Sequence, residues 1–360
     1  MRVHNFGAGP CTLPADVLEE ARDEMLDFAG AGMSVVEMSH RSDEYDAVHA
    51  ETLRLTRTVS GCPDDFDILF VQVGAMLQFG MIPMNLAGAD PVGYLVTGAW
   101  GKGAFEDAAL VANAYPAWDG SSEGFRRMPD PGEIEIRDAT RYLHITTNET
   151  IGGIRMVEFP DVGVPLVGDM SSEYLARPID WDRYDLVYGG VQKNLAPAGM
   201  AVVFIRREVT ERTPQTLPKY LRYDWHAKTD SLGNTPPMFP IYIMGKVLAR
   251  IEAGGGVEAL EAASARKAGL IYDVIDESGG FYTNPVAPDC RSHMNVVFTL
   301  GTLDLESRFL SGAEERRMIG LKGHRSVGGC RASLYAALSE ESAAALAAYM
   351  REFAADNRDS

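Results

Sequence analysis

Short apolar runs alternate with stretches of helical periodicity over the first two thirds of the chain. In LPADVLEEARDEMLDFAG the apolar side chains fall at Val17, Leu18, Ala21, Met25 and Phe28, with Asp16 and Glu19 in the first turn and Gly30 at the end. That three-and-four spacing predicts one amphipathic helix. After SGCPDD comes FDILFVQVGAMLQFGMIPMNLAG, which reads as a short strand, a small-residue turn at Gly74–Ala75 and a helix. Strand–loop–helix units recur. VGYLVTG precedes a helix expected to start near Lys102, RYLHITTNETIGG is a strand running into a polar turn, and VPLVGDMSSEY is a strand ending at Asp169. YDLVYGGVQKN and AGMAVVFI are two strands joined by a loop that carries Lys193. Such alternation predicts an α/β domain with a largely parallel sheet.

The texture changes near residue 250. GGGVEALEAASARKAGLIYDVIDESGG has apolar positions at 257, 260, 271, 274 and 275 and glycines at both ends, which predicts a long helix. MNVVFTL, a helix near LDLESRFLSGAEERRMIG, the segment GGCRASLY and an alanine-rich terminal helix then predict a smaller α+β domain. The tail DNRDS is expected to fray, and neither an internal repeat nor a low-complexity segment is visible.

Composition narrows the function classes. The chain has 360 residues, 46% apolar and 23% charged, enough for a large domain plus a smaller one. Its net charge of −18 argues against nucleic acid and against an anionic membrane surface as partners. An anionic substrate would need a local cationic pocket. Cys11, Cys62, Cys290 and Cys330 lie far apart with no C-x-x-C pair, which fits a reducing compartment and no zinc or other metal site. The N-terminus has no apolar signal-peptide core and no run approaches membrane-spanning length, so the chain reads as soluble and cytoplasmic.

Lys193 is the residue that asks for an explanation, since lysine is seldom buried without a partner. A desolvated lysine has a lowered pKa, and its neutral amine attacks aldehydes. The most general use of such an amine is a Schiff base with pyridoxal phosphate. That cofactor makes three further demands. A carboxylate must keep the pyridine nitrogen protonated, and Asp169 ends the strand before the lysine strand, so two adjacent parallel strands would bring both to one sheet edge. The phosphate needs backbone N–H donors at a helix start, which VQVGAMLQF can supply. The ring needs a face to stack on, and Trp100 follows another strand. Taken singly, Asp169 is a turn former, Gly74–Ala75 an ordinary strand–helix turn, Trp100 a core residue and Lys193 an exposed loop lysine. Their combination favours the cofactor.

The motifs NFGAGPCTLP, SHRSDEY, NETIGG, GDMSS, GGVQKNLAPAG, NTPPMFPIYIMG, RSHMNVVF and LKGHRSVGGCRASLY, spread over about residues 4 to 338, together resemble the phosphoserine aminotransferases. These are class V aminotransferases of pyridoxal-phosphate fold type I. The resemblance implies a large domain at 16–255 with a mostly parallel seven-stranded sheet, a small α+β domain at 256–360, and an N-terminal segment at 1–15 that contacts the site. It implies that Lys193 forms the Schiff base, Asp169 pairs with the pyridinium, Trp100 stacks on the ring and Thr150 meets the phenolic oxygen. Ala75, Met76 and Gln192 would lie at the cofactor phosphate, with Asn234 and Thr235 reaching it from the other subunit of a symmetric homodimer. Arg331 would clamp the substrate α-carboxylate, and His40, Arg41, His324 and Arg325 would form the distal-anion pocket. His4, His49, His144, His226 and His293 read as surface or satisfied core.

The implied reaction exchanges an amino group between glutamate and 2-oxoglutarate and between O-phosphoserine and 3-phosphohydroxypyruvate, as in serine biosynthesis. A vitamin B6-route substrate is implied as well, and nothing in the sequence separates the two uses. An alanine–glyoxylate-type aminotransferase, a cysteine desulfurase acting through Cys330 and a non-catalytic cofactor-binding regulator are the alternatives. The chain departs from the family pattern at Val73, where glycine is usual, at Met76, where a polar residue is frequent, and at Ala8 and Ala336, where serine and asparagine occur.

Overall fold

In a computed structural model that describes residues 2–358, seven strands form the central sheet. They are β1 (Phe66–Gln72), β2 (Val92–Val96), β3 (Ala114–Asp119), β4 (Leu143–Thr146), β5 (Leu166–Asp169), β6 (Tyr184–Gly190) and β7 (Met200–Arg206). Their spatial order is β1-β7-β6-β5-β4-β2-β3. All neighbours are parallel except β7, which runs antiparallel to β1 and β6. The reason is local: only the short Lys193 loop joins β6 to β7, and a parallel pair would need a long crossover. Strand β3 escapes sequence pattern because AYPAWD contains a proline, which an edge strand tolerates.

The longer helices among the described residues are α1 (Ala15–Asp23), α2 (Asp43–Ser60), α3 (Met76–Leu86), α4 (Ala99–Ala109), α5 (Met238–Ala253), α6 (Gly256–Glu277), α7 (Leu303–Glu315) and α8 (Glu340–Asp356). Alternate residues of β1 point to opposite faces. Ile68 and Phe70 pack with Leu55 of α2 and Ile241 of α5, whereas Leu69 and Val71 pack with Phe79 of α3 and Ala104 of α4. The sheet is therefore covered on both sides, as its continuous apolar strands require.

Two helix boundaries differ from the periodicity. Helix α1 stops at Asp23 rather than near Gly30. Glu24 turns away to accept from Tyr242 Oη and to pair with Lys246, and Phe28 packs edge-on against Tyr242, so contacts with α5 override the helical pattern. Helix α4 begins at Ala99 rather than near Lys102 because a carboxylate from elsewhere in the chain receives its first N–H groups.

A second core gathers Phe6, Ile271, Ile275, Phe298, Phe309, Leu346 and Met350 around α6, α7, α8 and a three-stranded antiparallel sheet. The strands of that sheet are β8 (Tyr282–Thr283), β9 (Asn295–Leu300) and β10 (Cys330–Ser333). Helix α6 bridges the cores, with Val257 in the first and Ile271 in the second. The chain start joins the second core: His4–Asn5 pairs parallel with Met318–Ile319, and Phe6 O accepts from Ser333 N at 3.1 Å. It then passes over to the first, where Cys11 N donates to Gln192 O at 3.1 Å. The tail is not frayed as far as it is described. Asn357 is buried, donates to Phe353 O at 2.8 Å and accepts from Arg308, while Asp359 and Ser360 lie outside the described residues.

Burial alone does not single out Lys193. Lys267 on α6 is only 2% exposed, and burial pushes its amine down to about 8. All three of its donors are used, on the carbonyls of Leu334, Tyr335 and Leu338 at 2.7, 2.8 and 3.1 Å. That lysine is a staple holding the turn after β10.

Candidate active site

The carboxyl ends of β5 and β6 set the site. Their parallel register pairs Asp169 with Tyr188, two residues before the end of β6, and the chain then turns through Val191 and Gln192 to Lys193. A cavity of about 440 Å³ opens there. Lys193, Asp169, Trp100, Thr150, Gln192, Ala75, Met76, His324 and Arg331 all line it, together with Ala8 and Gly9 of the chain start. Ligands of open α/β sheets bind at this edge for the same topological reason.

Lys193 is 8% exposed, and its Nζ donates to Thr150 Oγ1 at 2.8 Å. The amine stands 5.5 Å from the centre of the Trp100 ring. Burial lowers its pKa to about 8, against the opposing pull of Asp169 and Glu149, and Arg331 pushes in the same direction as burial. A neutral, nucleophilic amine is thus accessible near physiological pH, and unlike Lys267 it faces open space.

Asp169 is buried, and burial raises its pKa. Lys193, Ser171 and Tyr188 pull it back down. Its Oδ1 accepts from Ser171 N at 2.9 Å and Ser171 Oγ at 2.6 Å. Tyr188 in turn meets His144 Nε2 at 3.0 Å, and burial holds that imidazole neutral with its pKa near 3. In its Nε2-protonated tautomer the neutral ring would donate to Tyr188 Oη and leave the phenol proton for Asp169. Ser171 and Tyr188 went unread in the sequence. GDMSS offers a signal for the serine, because a residue two after an aspartate can close a side-chain turn on it; nothing in the sequence marks Tyr188.

The loop before α3 provides the N–H groups of a helix start with no acidic residue in the first turn. Its backbone explains one departure noted above. Val73 has φ +87° and is 72% exposed, in a region that glycine enters freely and a β-branched residue does not. Val73→Gly is therefore expected to stabilise the fold by roughly 1 kcal/mol, the strain relieved less the added chain entropy. A chemical-denaturation midpoint that moves down instead would contradict it.

Arg331, on β10, enters from the second core. Its Nη1 donates to Thr150 O at 3.3 Å, and its buried Nε has no partner among the described residues. Trp100 Nε1 and Gln192 Oε1 are likewise buried without partners. His324 lines the cavity with Nδ1 on Ser326 Oγ at 2.7 Å. Five of the residues implied by resemblance do not line it within one chain: His40, Arg41, Arg325, Asn234 and Thr235. Arg41 and Arg325 are exposed, and His40 carries a buried Nε2 with no partner. Asn234 Nδ2 donates to Gln72 Oε1 at 3.2 Å, and Gln72 Nε2 to Thr235 O at 2.7 Å, at the end of β1. The other histidines are partnered: His4 with Ser342, His49 with Asp230 O, His226 with Tyr220 O and His293 with Arg155.

An aldehyde-reactive amine, a buried carboxylate one strand away, an indole face and a helix start suit pyridoxal phosphate as a donor set, and the partnerless polar atoms beside them await a polar ligand. The chain matches the Aminotransferase class-V family over residues 3–346, and it belongs to that family. It is similar to the phosphoserine aminotransferase of Niallia circulans, 46% identical over 98% of each chain, and to that of Bacillus subtilis, 45% identical over 99% of each. The fold is similar to the phosphoserine aminotransferase structure from Bacillus circulans subsp. alkalophilus, with TM-score 0.96, 45% identity and 99% of both chains covered. A pyridoxal-phosphate-bound phosphoserine aminotransferase from Trichomonas vaginalis gives TM-score 0.92 at 36% identity, over 97% of this chain and 100% of that one. Within class V the chain falls among the phosphoserine aminotransferases, with pyridoxal phosphate as cofactor. No helix among the described residues is long and apolar enough to cross a membrane.

Proposed function

We propose that the chain reversibly exchanges an amino group between glutamate and 3-phosphohydroxypyruvate, giving 2-oxoglutarate and O-phosphoserine, in the cytoplasm and as a step of serine biosynthesis. The observation that carries this reading is the pairing of one buried amine with one partly desolvated guanidinium, Lys193 and Arg331, in a single cavity of a chain with net charge −18. Both substrates bring an α-carboxylate and a distal anion. Arg331 would take the carboxylate through two parallel hydrogen bonds, using the Nε that has no partner in the chain. His324 would face the distal anion, with Arg325, His40 and Arg41 completing that pocket.

Pyridoxal phosphate, when bound, supplies an electron sink for negative charge at the substrate α-carbon. The chain's own residues do the rest. Lys193 carries the cofactor and, once freed by substrate, takes and returns the α-proton; its lowered pKa makes it a base near neutral pH. Asp169 holds the ring nitrogen protonated, Trp100 covers one ring face and Thr150 binds the phenolic oxygen. Ala75, Met76 and Gln192 hold the phosphate, Met76 through its backbone N–H alone because its thioether is no strong donor. Asn234 and Thr235 are assigned to the neighbouring subunit's phosphate, which makes the homodimer obligatory for a complete site. The large domain is assigned to 16–255 and the small one to 256–360.

A desulfurase reading is disfavoured, because burial pushes the thiols of Cys11, Cys62 and Cys330 up to about 12 and none is a ready thiolate. The test is a half-reaction panel. The yellow protein should lose its colour with phosphoserine and with glutamate, and far more slowly with serine or alanine; an equal response to all four would refute the distal-anion reading. The vitamin B6-route ketone belongs in the reverse panel. Arg331→Lys should raise KM for glutamate and phosphoserine by roughly 10- to 100-fold, since one ammonium cannot make the bidentate contact.

A further inference from the structure

Glu149 has no role in the reaction as described so far, yet it is the most completely buried carboxylate near the site, with no exposed surface. It precedes Thr150, the residue that receives the Lys193 amine. Its two oxygens accept from the first N–H groups of α4: Trp100 N to Oε2 at 3.0 Å and Gly101 N to Oε1 at 2.7 Å. Helix α4 has no side-chain cap of its own, because Gly98 occupies the cap position. The space is built to fit. A Cβ on Gly98 would lie 2.4 Å from Glu149 Cδ, and one on Gly101 would lie 3.2 Å from Oε1.

An ordinary cap would come from the helix's own sequence and sit in solvent. This one comes from a neighbouring hairpin, at a cost in desolvation that a serine at position 98 would avoid. The charged groups facing the carboxylate are Lys193 and Asp169; those facing the Lys193 amine are Asp169, Glu149 and Arg331. Two carboxylates thus balance one amine and one guanidinium.

We propose that Glu149 is a positioning residue for the reaction: it pins the Trp100 backbone so that the indole lies over the lysine, and it supplies the second negative charge that the lysine nitrogen feels. This rests on Lys193 as the cofactor-carrying lysine. Burial raises the Glu149 carboxyl to about 7, and the two N–H donors and Lys193 oppose that rise. Its charge is therefore sensitive to what stands at position 193, which an exposed helix cap would not be.

The experiment is a pH titration of the visible absorbance of the holoenzyme, with its visible circular dichroism, for wild type, E149Q and G98A. Glutamine keeps the size and removes the charge. With a facing anion gone, the cationic form at Lys193 is disfavoured, so the absorbance midpoint should move to lower pH by about 1. In G98A the extended backbone accepts alanine, but the new methyl displaces the carboxylate while leaving its charge. That variant should change the circular dichroism, which reports the indole against the ring, with a smaller change in midpoint. An unchanged midpoint in E149Q reduces Glu149 to a helix cap and overturns the proposal. If E149Q does not fold, an unchanged circular dichroism and midpoint in G98A overturn it equally. Borohydride reduction of the wild type followed by peptide mapping is the separate control: a label away from Lys193 defeats the underlying assignment.

Discussion

Lys193→Ala is expected to leave a folded protein that holds pyridoxal phosphate only reversibly and turns over at least about 10⁴-fold more slowly, since both the covalent anchor and the proton-transferring base are lost. Folding should survive, because burial already disfavours the charged amine, and although its removal leaves Thr150 Oγ1 without a donor and Asp169 and Glu149 without a facing cation, those carboxyls can take up protons instead. Asp169 would lose the cation that lowers its pKa, so its carboxyl should titrate higher still in the variant. Borohydride treatment should then incorporate no label in the peptide spanning position 193. Activity within a few-fold of wild type would remove the basis of the mechanism.

The second large effect belongs to Asp169→Asn. The amide keeps the shape and can still accept from Ser171 through its oxygen, so the fold and the cavity should persist. What goes is the negative charge that keeps a ring nitrogen protonated, and the expected loss in kcat is roughly 10²- to 10³-fold. KM should change little, because Arg331 and His324, not Asp169, face the substrate anions in the proposed arrangement. Single-turnover rates with glutamate separate the two parameters. A rise in KM with unchanged kcat would place Asp169 in substrate binding instead. Tyr188→Phe should follow in the same direction and more weakly, because it removes one of three supports of that carboxylate.

How much of this was readable beforehand depended on how local each determinant is. The parallel sheet followed from alternating apolar runs and helical periods, and β5 with β6 brought Asp169 and Lys193 to one edge as adjacent parallel strands must. Helix α6 and the last helix α8 were legible because long amphipathic patterns bounded by glycine or a serine cap are set by nearby residues. The end of α1 was not, since Tyr242 and Lys246, more than two hundred positions away, draw Glu24 out of the helix. Strand β3 was hidden by Pro116, harmless at an edge that the sequence does not announce.

Within the site, Lys193, Asp169, Trp100, Thr150 and Arg331 meet in one cavity although they come from the loop after β6, the end of β5, the first turn of α4, the turn after Glu149 and strand β10. Residue type and motif order were enough to collect them. Glu149, Ser171 and Tyr188 were missed because each acts on another site residue, and that is a matter of packing distance rather than of spacing along the chain. Lys267 is the converse case: a second buried lysine with a pKa equally depressed to about 8, whose ordinary employment shows only once its three carbonyls are seen.

Residues 4–11 clasp both halves of the molecule, paired with Met318–Ile319 at one end and hydrogen-bonded to Gln192 at the other. The half that carries Arg331 cannot rock against the half that carries Lys193 without tugging this strap across the amine's doorway. Any such movement would also shift Ala8 and Gly9, which line the cavity, so lengthening the strap by a few glycines is expected to loosen the tie between the two halves.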